Sequence, residues 1–144
     1  TGAADAVRAA NDAGAYVFVV TNQAGVAKGH YGEAEVQALH RWMSDELRAR
    51  GAHVDDWRYC PYHVDATVAA YRQAHPWRKP EPGMLLDLMT HWPVDLPRSL
   101  MVGDQPSDLA AAAAAGVAAQ RFQGGNLAQA IEPWIYEIKS GEMV

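Results

Sequence analysis

The chain has 144 residues, of which 49% are hydrophobic, and a chain of this length can bury one compact core, so we predict a single domain over residues 1–144. The formal net charge is −5, and without a basic run this argues against nucleic-acid or anionic-lipid partners, which need a basic surface. The single cysteine, Cys60, excludes an internal disulfide and suits a reducing compartment, so we expect a cytoplasmic protein. No apolar run reaches the roughly 20 residues needed to span a bilayer, so we expect no membrane partner. We also expect a monomer.

Apolar patterns alternate between helical and extended periods along the chain. They predict helices over 3–13, 33–50, 65–74, 83–91, 107–115 and 127–138, and strands over 16–20, 54–59, 99–102 and 117–122. Thr1 and Asp65 are expected to cap the first and third helices. The first and third strands are continuous apolar runs, which is typical of parallel strands covered on both faces. We therefore predict an α/β fold, Rossmann-like, with a mostly parallel sheet and helices on both faces.

The second predicted helix has a clear apolar stripe. We expect this stripe to face the core, and we expect His40 to lie on the surface of the helix. The stripe contains Val36, Leu39, Trp42, Met43 and Leu47.

Three polar segments stand at positions where an α/β fold binds ligands. Thr21, Asn22 and Gln23 follow the first strand, Lys79 stands between Arg78 and Pro80, and Asp104 follows the third strand. Ligands bind beyond the carboxyl ends of parallel strands, so the first and third segments can converge there. A hydroxyl, an amide and a fixed cation suit phosphate oxygens. The order of these groups predicts a phosphoryl-transfer site.

Two carboxylates in the last segment predict a magnesium site. Asp104 and Asp108 are one helical turn apart, so both can face one cation, or one of them can support it from its second coordination shell. Carboxylate oxygens suit Mg²⁺ better than zinc. The simpler interpretation is that Asp104 only caps the helix that begins at Pro106. Gly103 before Asp104 and Asp108 after it favour the metal-binding interpretation.

The same segments resemble a known family. Residues 20–29 read VTNQAGVAKG, residues 77–84 read WRKPEPGM, and residues 102–105 read VGDQ. This set is similar to the haloacid dehalogenase (HAD) superfamily, and within it to the small uncapped phosphatases that act on heptose bisphosphates and histidinol phosphate. The resemblance extends from residue 1 to about residue 127.

The resemblance implies a role for each matching residue. Thr21 would bind the transferring phosphoryl group, Asn22 and Gln23 would shape the pocket, and Lys79 would neutralise phosphate and the attacking carboxylate. Asp104 would hold magnesium with support from Asp108, and Arg78 and Lys28 would contact the other end of the substrate. The implied reaction forms an aspartyl-phosphate that water then hydrolyses.

One part of the family pattern has no counterpart in the sequence. The Asp-x-Asp-Gly-type motif that carries the nucleophile is absent, and Asp5 and Asp12 lie on the first helix, where they cannot replace it. In the family this motif ends a central strand between the first and third strands predicted here. We therefore expect a longer protein whose attacking aspartate lies upstream, and a split sheet with little activity in the present chain.

A second departure concerns zinc. Many relatives hold a structural zinc with two Cys/His pairs, and the corresponding positions here read Cys60, Tyr62, His75 and Trp77. Two of these are not ligand types, so we expect a metal-free, packed loop instead of an improvised site made of Cys60, His63 and His75.

Several functions remain open from the sequence. The leading hypothesis is a Mg²⁺-dependent phosphatase that acts on a small metabolite, with a heptose bisphosphate as the first candidate substrate. Histidinol phosphate and a nucleic-acid 3′-phosphate are the alternatives within the same class. A non-catalytic anion-binding module and a receiver-like signalling domain are the alternatives outside it.

Overall fold

The computed structural model describes residues 2–140, in which helices and strands alternate along the chain. The predicted cap Thr1 lies outside the described residues. The four strands are Phe18–Asn22 (β1), Asp56–Cys60 (β2), Leu100–Gly103 (β3) and Ala118–Arg121 (β4). The helices are Ala3–Asp12 (α1), Ala24–Ala27 (α2), Glu33–Ala49 (α3), Gly83–His91 (α4), Pro106–Ala115 (α5) and Leu127–Ser140 (α6). This order confirms the predicted α/β fold.

The strands form two separate parallel pairs. In one sheet β1 pairs with β2, so that Phe18 lies opposite Asp56, and in the other β3 pairs with β4, so that Leu100 lies opposite Ala118. Within residues 2–140 no ladder joins β1 to β3. The predicted split of the sheet is therefore confirmed.

Two helices connect the separate sheets. Helix α4 packs on β2, helix α5 packs on β3 and β4, and the two helices contact each other. Met84 and Leu88 of α4 are almost completely buried, as are Ala111 and Ala112 of α5, because α4 and α5 present these apolar side chains to the strands and to each other. Helix α1 packs against α6. None of the helices described is both long enough and apolar enough to cross a lipid bilayer.

Strands β1 and β3 are not covered as fully as their apolar sequences predicted. Every residue of both strands keeps partial solvent exposure. Each strand has a partner on one side only within the described part of the chain. The sequences of β1 and β3 suit the interior of a sheet. Both strands are partly exposed because each lies at the open edge between the two sheets.

Two local predictions were wrong. The segment of residues 22–32, which we expect from the sequence to be a loop, contains the single-turn helix α2. The helix predicted over 65–74 is only one 3₁₀ turn, Ala69–Tyr71, so Asp65 caps no helix. Val68 is extended there and its N–H donates to the carbonyl of Ala27 at 2.9 Å, and a β-branched residue accepts an extended conformation readily.

The inner face of α3 also differs from the prediction. Val36 and His40 are its buried residues, whereas Leu39 and Trp42 are 49% and 60% exposed. The His40 ring stacks on Trp57 of β2, with 4.3 Å between the ring centroids. This contact, rather than the apolar stripe, decides which face of α3 is covered. Burial lowers the pKa of His40, which favours its neutral form.

Candidate active site

Lys79 connects the two sheets at the site predicted from the sequence. Its ammonium group donates to the carbonyl of Val20 in β1 at 3.3 Å and forms an ion pair with Asp108 in α5. The two side chains are only 13% and 7% exposed. Because a partly buried ion pair with a further hydrogen bond restricts a lysine, the cation is fixed at the carboxyl end of β1.

Asn22 holds the backbone of the same lysine. Its amide nitrogen donates to the carbonyl of Lys79 at 3.2 Å, and its amide oxygen accepts from the N–H of Lys79 at 3.0 Å. Both ends of the amide are therefore engaged by Lys79. In this structure the contribution of Asn22 is to position Lys79, and its direct contact with phosphate stays a prediction.

The position of Asp108 follows from the first turn of α5. Pro106 is the first helical residue, and the N–H of Gln105 donates to one oxygen of Asp108 at 3.1 Å. The other oxygen pairs with Lys79. Gly103 makes this approach possible, because a Cβ at that position would lie 2.4 Å from the Cβ of Asp108. Both oxygens of Asp108 are thus committed to the protein.

Asp104 differs from Asp108, because its carboxylate is not engaged by the described residues. It is exposed directly after β3, and its carboxylate has no hydrogen-bond or ion-pair partner among residues 2–140. A carboxylate oxygen that no described residue engages is the kind of donor that Mg²⁺ prefers. One such carboxylate is compatible with Mg²⁺, which keeps several waters and needs only one or two protein carboxylates; the roles of Asp104 as ligand and of Asp108 as support stay predictions.

Thr21 and Gln23 form a third part of the site. The Thr21 hydroxyl donates to the carbonyl of Asn22 at 3.2 Å and accepts from the amide of Gln23 at 3.3 Å. Gln23 also accepts from the hydroxyl of Tyr31 at 2.6 Å. Tyr31 was not predicted from the sequence, because a tyrosine in a loop has no pattern that indicates such a contact.

The two predicted substrate-binding cations make no hydrogen bond or ion pair with this group within residues 2–140. The guanidinium of Arg78 donates to the carbonyl of Tyr62 at 3.5 Å, and Lys28 is exposed at the end of α2. No hydrogen bond or ion pair among the described residues joins either one to Thr21, Asn22 or Lys79. The structure therefore joins Thr21 to Gln23 and Asn22 to Lys79, and the substrate contacts of Arg78 and Lys28 stay predictions.

Stacked rings fill the segment where relatives bind zinc. Tyr62 and His75 stack with 4.4 Å between their centroids, and Trp77 contacts His75 edge-on. The Nδ1 atom of His75 accepts from the N–H of Trp77 at 3.1 Å. Burial raises the pKa of the Cys60 thiol, which disfavours the thiolate that binds metals. Within residues 2–140, no group of three or more His, Cys, Asp or Glu side chains is placed to hold a metal ion.

Comparisons with known proteins identify the family of the chain. The HAD-hydrolase-like family model matches residues 76–130, which contain Lys79, Asp104 and Asp108. The D-glycero-β-D-manno-heptose-1,7-bisphosphate 7-phosphatase of Rhodopseudomonas palustris is 55% identical over 126 residues, which are 88% of this chain and 70% of that protein. The enzyme of the same name from Escherichia coli K12 is 41% identical over 116 residues, or 81% of this chain, and the match spans 61% of the E. coli protein.

Solved structures of the same family are similar to the chain. A HAD-like phosphatase from Mesorhizobium loti superposes with a TM-score of 0.82 at 31% identity, covering 95% of this chain and 72% of that one. The D,D-heptose 1,7-bisphosphate phosphatase of B. bronchiseptica, solved with magnesium and phosphate, gives a TM-score of 0.76 at 35% identity and covers 90% and 68% of the two chains. The resemblance inferred from the sequence motifs is confirmed: the chain belongs to the HAD-like phosphatases, in the branch that contains the heptose-1,7-bisphosphate 7-phosphatases.

Proposed function

We propose that the protein is a Mg²⁺-dependent phosphatase of small phosphorylated sugars, with D-glycero-β-D-manno-heptose 1,7-bisphosphate as its substrate. The observation that carries this proposal is the fixed ammonium group of Lys79 between β1 and Asp108. A preorganised cation stabilises the charge of a transferring phosphoryl group, and in this proposal the Thr21 hydroxyl and the Asp104 carboxylate act together with it. The heptose substrate is the one named for relatives at 55% and 41% identity.

Each residue has a distinct task in this proposal. Lys79 neutralises the phosphoryl oxygens, the hydroxyl of Thr21 donates to one of them, and Asn22 keeps Lys79 in place. Asp104 would hold Mg²⁺, which when bound supplies positive charge next to the phosphate. Arg78 and Lys28, which form no ion pair within residues 2–140, bind the remote phosphate or hydroxyl groups of the substrate, with Gln23 shaping the pocket.

The nucleophile belongs to a segment outside residues 1–144 in this proposal. Asp108 is the carboxylate bonded to Lys79 within the described residues, and both its oxygens are engaged, which makes it a poor attacking group. The unpaired edges of β1 and β3 leave a place for a strand that would bring an aspartate to this end of the sheet. Matches that span 70% and 61% of the two relatives are consistent with a longer protein.

The proposal also includes the setting of the enzyme. We propose a cytoplasmic monomer, since the one cysteine of the chain is free and buried and a reducing compartment keeps such a thiol unpaired. A phosphorylated sugar is its partner, and the net charge of −5 does not favour nucleic acid.

The test is phosphate release by the complete protein from three substrates. Heptose 1,7-bisphosphate, histidinol phosphate and a 3′-phosphorylated oligonucleotide are compared with Mg²⁺ and with a chelator. We expect the highest kcat/KM for the heptose bisphosphate and loss of turnover without Mg²⁺. The chain of residues 1–144 is the matched control and should not turn over. A higher kcat/KM for either other substrate would refute the substrate assignment, and turnover by residues 1–144 would refute the external nucleophile.

A further inference from the structure

A tyrosine outside the predicted motifs is connected to Thr21 by two hydrogen bonds. The hydroxyl of Tyr31 donates to Oε1 of Gln23 at 2.6 Å, and Nε2 of Gln23 donates to Oγ1 of Thr21 at 3.3 Å. All three side chains are partly buried. In this arrangement the Tyr31 hydroxyl donates to the amide oxygen of Gln23, so the amide nitrogen is the end that faces Thr21.

The backbone is built to bring Tyr31 to this place. The turn of α2 returns the chain toward β1, with the N–H of His30 donating to the carbonyl of Gly25 at 2.9 Å. A Cβ on Gly25 would lie 2.3 to 2.6 Å from atoms of the Tyr31 ring and its hydroxyl. Only glycine at this position allows the ring to approach so closely, so the contact between Tyr31 and Gln23 depends on Gly25.

The direction of these bonds controls the proton of Thr21. A hydroxyl has one hydrogen to donate, and the oxygen of Thr21 already accepts from Gln23. The hydrogen of Thr21 therefore points away from Gln23, and it donates to the carbonyl of Asn22 at 3.2 Å. A phosphoryl oxygen placed beside Thr21 can take over this donor without a change at Gln23.

We propose that Tyr31 is a positioning residue, which through Gln23 orients the hydroxyl of Thr21 toward the transferring phosphoryl group. This inference rests on the proposed function, because it assumes that Thr21 binds that group. Removing the Tyr31 hydroxyl frees the Gln23 amide to rotate, so that its oxygen can accept from Thr21 and withdraw the donor from phosphate. The effect should fall on the transition state, where donors aimed at developing charge matter most.

The test compares Tyr31→Phe with Tyr71→Phe in the complete protein. Tyr71 is the matched control, because its hydroxyl also makes a 2.6 Å hydrogen bond, to Glu33, without contact to Thr21 or Gln23. We expect Tyr31→Phe to lower kcat roughly tenfold with KM changed less than about twofold, a split that indicates a transition-state contact. Tyr71→Phe should leave kcat within about twofold of wild type. Equal losses of kcat in the two variants would overturn the inference.

A second measurement does not depend on turnover. The side-chain amide of Gln23 is followed by ¹H–¹⁵N NMR in residues 1–144 and assigned by its loss in Gln23→Ala. We expect its signals to shift and its exchange with water to quicken in Tyr31→Phe, and not in Tyr71→Phe. Unchanged Gln23 signals in Tyr31→Phe would refute the relay. An inactive wild-type protein with shifted signals would refute the proposed function and leave the relay standing.

Discussion

Two regions hold the segment of residues 75–79 from opposite ends, and they do so by different interactions. At one end, which we call the lysine corner, hydrogen bonds and an ion pair join Asn22, Lys79 and Asp108. At the other end, which we call the aromatic loop (residues 61–77), the ring of Tyr62 stacks on His75, and Trp77 contacts His75 edge-on. Directional polar contacts fix a charge at one point, whereas ring packing fixes only the path of the backbone. The comparison separates residues for catalysis from residues for stability.

The largest effect is expected from Lys79→Met in the complete protein. Removing the fixed cation should lower kcat/KM by roughly 10²- to 10³-fold. It should also lower the free energy of unfolding by about 3 kcal/mol, because the carboxylate of Asp108 loses its cation while it stays buried. Phosphate release and denaturant unfolding measure the two effects. Lys139→Met, an exposed lysine on α6, is the control and should change neither.

A double variant separates the catalytic role of Lys79 from its contribution to stability. In Lys79→Met with Asp108→Asn the buried charge is gone, so the free energy of unfolding should recover most of its loss while activity stays low. Recovery of both would mean that Lys79 acts only through stability, which would contradict its proposed role.

Asn22→Ala should show a smaller loss that has a close structural control. Asn11 makes the same pair of hydrogen bonds with a backbone, to the carbonyl and N–H of His53 at 3.1 and 2.9 Å. Each alanine variant should lower the free energy of unfolding by about 1–2 kcal/mol. The loss should be smaller for Asn11→Ala, because Asn11 is more exposed. Only Asn22→Ala should lower kcat, by roughly 10- to 100-fold, because Lys79 then moves away from the phosphate. Similar kcat losses in both variants would show that Asn22 is structural.

The lysine corner shows what a sequence can and cannot predict. The positions of Thr21 and Asp104 were predictable, because Thr21 lies in the last part of one apolar strand and Asp104 follows another, and the position of a strand end is set by the fold. The bonds from Asn22 to Lys79 join residues 57 positions apart, and no local pattern contains such a partner. Tyr31 was missed for the same reason, since its task depends on the close approach that Gly25 allows.

The elements of the fold, like the residues of the site, were only partly predictable from local sequence patterns. Helix α4 was predicted with its observed bounds, because its period and end signals lie within the helix itself. The stripe of α3 placed Leu39 and Trp42 in the core, yet the structure covers His40 instead, because the partner ring of Trp57 lies on another strand. Local patterns therefore specify elements, and contacts between elements decide which faces are buried.

Tyr62→Leu tests the aromatic loop. The variant keeps the backbone carbonyl that Arg78 contacts and removes the ring that stacks on His75 and lies 5.8 Å from the ring of Tyr71. We expect the free energy of unfolding to fall by about 1–2 kcal/mol and kcat to stay within about threefold of wild type. Denaturant unfolding and steady-state kinetics measure these quantities.

Two results would contradict this assignment of the aromatic loop. A loss of kcat as large as that of Asn22→Ala would mean that the loop positions the catalytic lysine directly. Zinc near one atom per chain in the wild-type protein, by elemental analysis, would mean that a metal rather than the rings holds the loop. We expect zinc far below that level.

The smallest effect concerns Tyr71, at the edge of the aromatic loop. Donation of its hydroxyl to Glu33, together with burial, raises its pKa from 10.0 to about 12, since a phenolate would lie beside a carboxylate. The stability that this bond contributes is complete below pH 10 and is lost as the pH rises through 12.

In Glu33→Gln the pKa of Tyr71 should return toward 10.0, and this part of the pH dependence should flatten. NMR titration of ¹³C-labelled tyrosine measures the pKa. Glu35→Gln, on the same turn of α3, should leave it unchanged, and an unchanged Tyr71 titration in Glu33→Gln would show that the carboxylate does not cause the shift.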